Sequence, residues 1–193
     1  MSAPAPRATS AEPPLAGKYI STDRSFELLV PPGYSVHTGT GKPSGYIPIC
    51  HDDSLVCITY PPGHYTGTTF DNASVEVTLL PPTTEQPCIN PGKYEVSTLP
   101  EALFRIDANS PIRVIDGVRF LHASVGAGAM SNDIVGDLYR GFTHGRCYEL
   151  AARVTFTNFA AFPPGTVKEF TLLDQKHVAA QLIRILDSFR ALP

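Results

Sequence analysis

The chain has 193 residues and a formal net charge of −3 at pH 7, with a sequence pI near 6.0. That balance leaves no basic footprint for nucleic acid, and no apolar run reaches the ~18 residues that a membrane-spanning helix needs. Nineteen prolines and fifteen glycines without a tryptophan predict short strands joined by many turns, in a chain long enough to bury a core.

Residues 1–16 (MSAPAPRATSAEPPLA) are rich in Ala, Pro and Ser, lack any apolar period and are expected to be a disordered tail. Residues 17–193 are then one domain. The tail has no apolar centre of a signal peptide, but segments like it often follow a removed signal or a lipid-anchored cysteine. From Tyr19 the chain reaches an alternating stretch that puts Phe26, Leu28 and Val30 on one face and stops at Pro31-Pro32-Gly33. Tyr46 to Cys50 and Leu55 to Tyr60 are expected to pair as a hairpin about Asp53-Ser54, ended by Pro61-Pro62-Gly63. Ala73 to Leu80 alternates as a further strand ended by Pro81-Pro82, and Phe162-Pro163-Pro164-Gly165 repeats the device.

Thr83 to Pro100 is polar and reads as a long loop carrying Cys88, with a short helix after it over Leu99 to Ile106. Gly117 to Val125 is a strand, and Gly126 to Asp133 reads as a mobile loop of small residues. Asp137 to Thr143 and Arg146 to Phe156 flank His144-Gly145, a two-residue hairpin turn. Pairing about that turn sets Phe142 opposite Cys147, Arg140 opposite Glu149 and Tyr139 opposite Leu150. Tyr148, Leu150, Ala152, Val154 and Phe156 then share the apolar face, and Cys147, Glu149, Arg153 and Thr155 the other. The Arg140–Glu149 cross-strand pair is worth roughly 0.2–1 kcal/mol, and Arg153 is expected to tolerate truncation. Finally Val178, Leu182, Ile185, Leu186 and Phe189 form one stripe of an α-helix starting at an Asp174 N-cap. That stripe should cover the Tyr148-to-Phe156 face.

Four cysteines, Cys50, Cys57, Cys88 and Cys147, form no CxxC or CxxH metal pattern and admit three disulfide connectivities. Across the Asp53-Ser54 turn Cys50 and Cys57 fall opposite each other, which favours Cys50–Cys57 and leaves Cys88–Cys147. Four free thiols in a cytosolic protein are the other reading. His51, Asp52, His64 and His122 supply metal-ligand types, but no HxxxH, HxH or DxDxDG spacing binds them together. Cys147 has His144 three residues back, yet that histidine sits at the hairpin tip rather than beside the thiol. No GxSxG, phosphate-binding glycine loop or cofactor motif is present.

Many antiparallel strands closed by one terminal helix argue an α+β fold, a sheet meander covered by helices. The pieces Phe26-Glu27-Leu28-Leu29-Val30-Pro31-Pro32-Gly33-Tyr34 and Ile185-Leu186-Asp187-Ser188-Phe189-Arg190, with the late hairpin between them, resemble the PsbP/Mog1-type α/β/α sandwich. The resemblance implies a non-enzymatic role, such as photosystem accessory proteins, a Ran-binding import factor and bacterial secreted or lipid-anchored proteins carry out. It supplies no catalytic motif and no cofactor. The expectation is an exported accessory or binding module with a protein or small-ligand partner, presenting Thr83–Pro100 and Gly126–Asp133. An enzyme assembled from dispersed His51, Asp52, His64 and His122 is the alternative.

Overall fold

The computed structural model describes residues 15–38, 50, 53–81, 84–89, 111–129 and 131–193. Seven antiparallel strands form the main sheet in the order β3-β4-β5-β9-β8-β7-β6. They are β3 (Ser35–His37), β4 (Ser54–Thr59), β5 (Phe70–Leu79), β6 (Ile112–Ile115), β7 (Val118–Ala129), β8 (Asn132–Thr143) and β9 (Arg146–Thr157). A smaller sheet sets β2 (Phe26–Val30) between β1 (Gly17–Ile20) and β10 (Arg190–Ala191). Helix α2 (Leu172–Asp187) lies along the main sheet, and the short α1 (Glu85–Ile89) carries Cys88. The fold is α+β, an antiparallel sheet closed by a C-terminal helix.

The β8–β9 hairpin turns at His144-Gly145, where both residues take positive φ and type I′ geometry matches the strand twist. Its register pairs Thr143 with Arg146, Phe142 with Cys147, Arg140 with Glu149 and Tyr139 with Leu150. Tyr148, Leu150 and Val154 face α2, whose Val178, Leu182, Ile185 and Leu186 are fully buried in the same core as Phe26, Leu28 and Phe189. The helix begins two residues before the expected Asp174 cap. Thr171 is the N-cap, and Asp174 at the third helical position completes a reciprocal capping box with it. The helix stops at Ser188, and the chain turns into β10, which pairs with β2.

Several expectations change. Gly126 to Asp133 is not a loop: β7 runs on to Ala129 and β8 starts at Asn132, with Val125↔Gly136 to Ala129↔Asn132 in continuous register. Pairing along twelve-residue strands overrides the weak strand preference of these small residues. Strand β6, absent from the sequence reading, joins β7 through the Asp116-Gly117 turn, both at positive φ. Part of the expected Thr83–Pro100 loop is α1. Most of Tyr46–Cys50, the rest of that loop and the Leu99–Ile106 helix lie outside the described residues, as do residues 1–14. Leu15 already packs against the core.

The largest correction concerns Arg153. The face of β9 opposite α2 is buried as well: Cys147, Glu149, Ala151, Arg153 and Thr155 all have little exposure. Arg153 Nη2 donates to Glu76 Oε2 of β5 at 2.5 Å, with the two side chains 5% and 3% exposed. Arg140 Nη2 donates to Glu149 Oε2 at 2.7 Å, equally buried. Removing one partner of such a pair strands a buried charge and costs about 3–5 kcal/mol, while an apolar pair of similar volume can substitute for both. Arg153→Ala should therefore destabilise as much as Leu150→Ala or Leu186→Ala, for which about 2–5 kcal/mol is typical. Denaturant melts of the three variants check this, and Arg153→Met with Glu76→Leu should recover most of the loss.

Candidate functional site

At the end of the sheet where the β8–β9 turn lies, a cleft of about 440 Å³ opens among Ser21, Thr22, Asp23, Thr38, Ser54 and Leu55. Its size suits a small ligand. The β1–β2 turn supplies Ser21 to Asp23, the exit of β3 supplies Thr38, and the start of β4 supplies Ser54 and Leu55. Five of these six side chains are polar, yet several are already committed. Ser21 Oγ accepts from the backbone N–H of Ser25 (2.8 Å) and Phe26 (3.1 Å), which fixes the turn. Ser54 Oγ donates to Glu76 Oε2 at 3.1 Å, so the cleft floor touches the buried Arg153–Glu76 pair.

Asp23 accepts from Ser25 Oγ (2.7 Å), Ser25 N (3.1 Å) and Arg146 Nη1 (2.5 Å). Partial burial raises its pKa, but the hydrogen bonds from Ser25, Ser21 and Arg146 outweigh that and hold it at about 2. It is therefore a carboxylate throughout the physiological range and no proton donor. Among the described residues Glu76, the carboxylate beside the lining hydroxyl of Ser54, is already engaged by Arg153, so the lining offers hydrogen bonds and one fixed negative charge rather than an activated nucleophile.

A second polar group sits on β7 and β8. His122 Nε2 is 2.6 Å from Asp137 Oδ1, each side chain 25% exposed. The imidazole stacks on Tyr139 at 4.7 Å, and Arg113, which pairs with Asp187 of α2, stands over the same ring. Burial, with Asp137 nearby, pushes the Tyr139 phenol up to about 12.

Of the four metal candidates, His51 and Asp52 lie outside the described residues. His64 is exposed in the loop between β4 and β5, in edge contact with Tyr60. Strands β9 and β8 stand between β5 and the β7 of His122, so the two histidines are not brought together. Among the described residues Cys50, Cys57 and Glu76 place ligand atoms within 4.8 Å of one another. The two sulfurs are bonded to each other, however, which leaves no thiolate for an ion.

All four cysteines are in disulfides, Cys50–Cys57 and Cys88–Cys147. The first ties β4 to the chain before it, and the second ties α1 to the start of β9. His144 is exposed at the hairpin tip and Cys147 buried. The cleft itself had no signal in the sequence: Ser, Thr and Asp at a turn and at two strand ends look like ordinary surface chemistry until the sheet assembles them.

No family model matches the sequence, and no curated protein matches it. The chain is similar in structure to LpqN of Mycobacterium tuberculosis, described as involved in cell envelope biogenesis, with a TM-score of 0.50 and 10% identity over 92% of this chain and 90% of that one. A protein of solved structure from Bacteroides thetaiotaomicron superposes with a TM-score of 0.47 and 12% identity over 93% of this chain. It covers 49% of that protein, so this chain spans about half its length. At 10% identity the likeness to LpqN shows the fold alone.

The Asp23 anchor sets a pH dependence. Its folded pKa lies below the ordinary aspartate value of 3.8, so its contribution is complete above about pH 4 and is lost as pH falls towards about 2. Thermal melts across that window should show a modest acid-limb loss, because the pair with Arg146 is solvent-screened. Asp23→Asn should start less stable at neutral pH and lack that component of the acid dependence.

Proposed function

We propose that the chain is a non-catalytic, extracytoplasmic accessory or binding module. The observation that carries this reading is the pairing of all four cysteines in disulfides, which persist in oxidising compartments and are reduced in most cytosols. The structural likeness to a protein described as involved in cell envelope biogenesis points the same way. The lining of the cleft, hydroxyls and a permanently ionised carboxylate, suits recognition of a small polar ligand better than turnover. Placement with the PsbP/Mog1-type sandwiches belongs to the same reading, supported by the sheet closed by a terminal helix and by the residues of β2 and α2 that carry the resemblance. So does the division into a tail over residues 1–16 and one domain over 17–193.

Acid quenching of intact host cells followed by alkylation and non-reducing peptide mapping tests the compartment. The expected result is two disulfide-linked peptide pairs, 50 with 57 and 88 with 147. Four alkylated thiols in the quenched cells would sink the reading. The bonds close loops of very different span, 7 and 59 residues. In the chain-entropy picture the longer one restricts the unfolded chain more, by roughly one to two kcal/mol. Cys88→Ser should accordingly lower the melting temperature more than Cys57→Ser.

A further inference from the structure

Strand β6 ends the seven-stranded sheet, with β7 beside it and, among the described residues, no strand beyond it. Its hairpin with β7 sets Ile112 opposite Leu121, Arg113 opposite Phe120 and Val114 opposite Arg119. Just before the strand, Pro111 O accepts from His122 N at 2.8 Å. Bonded and non-bonded pairs alternate along an antiparallel ladder, so Pro111, Arg113 and Ile115 turn their bonding groups to β7. Ile112 and Val114 turn their N–H and C=O outward, and among the described residues no group bonds to them. Proteins blunt such an edge with a proline, a charge, a bulge or a very short strand. The opposite edge, β3, is cut to three residues. On β6 the register is regular, Pro111 does not block the edge because its nitrogen faces β7, and Arg113 is drawn onto the α2 side by Asp187.

Ile112 and Val114 are 51% and 63% exposed. Both lie on the face where Leu121 packs with Leu138 and Ala151, so that apolar face runs out to the edge strand uncovered. An open row of alternating N–H and C=O groups is matched in spacing by another extended backbone. A second copy of this chain fits poorly. The antiparallel register that pairs Ile112 of one copy with Val114 of the other sets the two Arg113 side chains directly opposite, where like charges destabilise. The charge around the edge favours an acidic partner: Arg113, Arg119 and Arg190 stand there against Asp116 and Asp187. Arg119 is exposed and, among the described residues, has no ion pair.

We propose that the β6 edge takes an extended segment of a second polypeptide as an eighth strand of the sheet, aliphatic beside Ile112 and Val114 and acidic between them, opposite Arg113. This surface is apart from the cleft and does not depend on the compartment. The probe is the peptide acetyl-TVEVT-amide, added to the purified, isotope-labelled full chain and followed by amide NMR. A few backbone bonds to a free peptide give weak binding, with a Kd on the order of 1 mM. Titration should move the Ile112 and Val114 amide signals and slow their hydrogen exchange about tenfold or more, from unprotected rates in the free protein. Replacing the peptide's Glu by Lys should weaken binding about fivefold or more. Val114→Pro removes one outward N–H and nothing that bonds to β7, which an edge strand tolerates. Its melting temperature should hold and its peptide binding should fall about tenfold or more. Val114→Glu stands opposite Arg119, keeps the backbone intact and repels the acidic peptide about fivefold, so it serves if the proline variant unfolds. The proposal is overturned if the peptide moves no β6 signal at millimolar concentration, or if folded Val114→Pro and Val114→Glu bind it as wild type does. Ile112 and Val114 amides already protected in the free protein would give the edge to another part of this chain and overturn it too. A dimer that Val114→Pro disperses would do the same in favour of a second copy, and equal binding of the Glu and Lys peptides overturns the acidic preference.

Discussion

Because β9 runs through the middle of the seven-stranded sheet with both faces covered, each charge on its buried stretch must find a counterion inside the protein. Glu149 finds Arg140 on β8, and Arg153 finds Glu76 on β5. These two pairs cross both strand boundaries of β9, so they couple the pairing of three strands to one electrostatic requirement. A slipped register would break both pairs at once and turn the α2-facing apolar set over to the other side. The net gain from each pair is small. The penalty for mispairing is large, and that asymmetry is what makes the central register unique.

Around that centre the two ends of the sheet differ in chemistry. One end holds the hydroxyl-lined cleft, the Arg146–Asp23 tie and the turn that closes the β8–β9 hairpin. The other holds the proline turns and the aromatic contacts beneath them, where Tyr65, Phe70 and Phe170 pack within 5.2 Å of one another by ring centroid. A long strand carries a side chain from one regime to the other in a dozen residues. The fold therefore sets a hydroxyl-lined cleft at one end of the sheet and an aromatic-packed region at the other.

Much of the β8–β9 hairpin was legible because its information is local: His-Gly admits the turn, and Arg140 and Glu149 meet within ten residues of each other. The α2 stripe was legible for the same reason. The helix start was misplaced because Asp174 caps plausibly alone, although Thr171-Leu172-Leu173-Asp174 carries the fuller capping signature. Strand β6 was missed although Asp116-Gly117 marks its hairpin. Arg153 was misjudged because its partner is on β5, and nothing short of the sheet order reveals that neighbour. The cleft has the same character: its residues come from the β1–β2 turn, the exit of β3 and the start of β4, and only the assembled sheets bring them together.

Strand β10 pairs with β2, Arg190 with Glu27 and Ala191 with Phe26. A ribosome delivers those partners almost a whole chain length apart, so β2 waits with one edge bare while nearly everything else is made. Vectorial synthesis thus cannot complete the small sheet early. Late closure keeps the small sheet open until the far segment of the chain arrives. A nonsense truncation shortly before Arg190 would leave a permanent open edge beside Leu29, a template for strand addition between molecules.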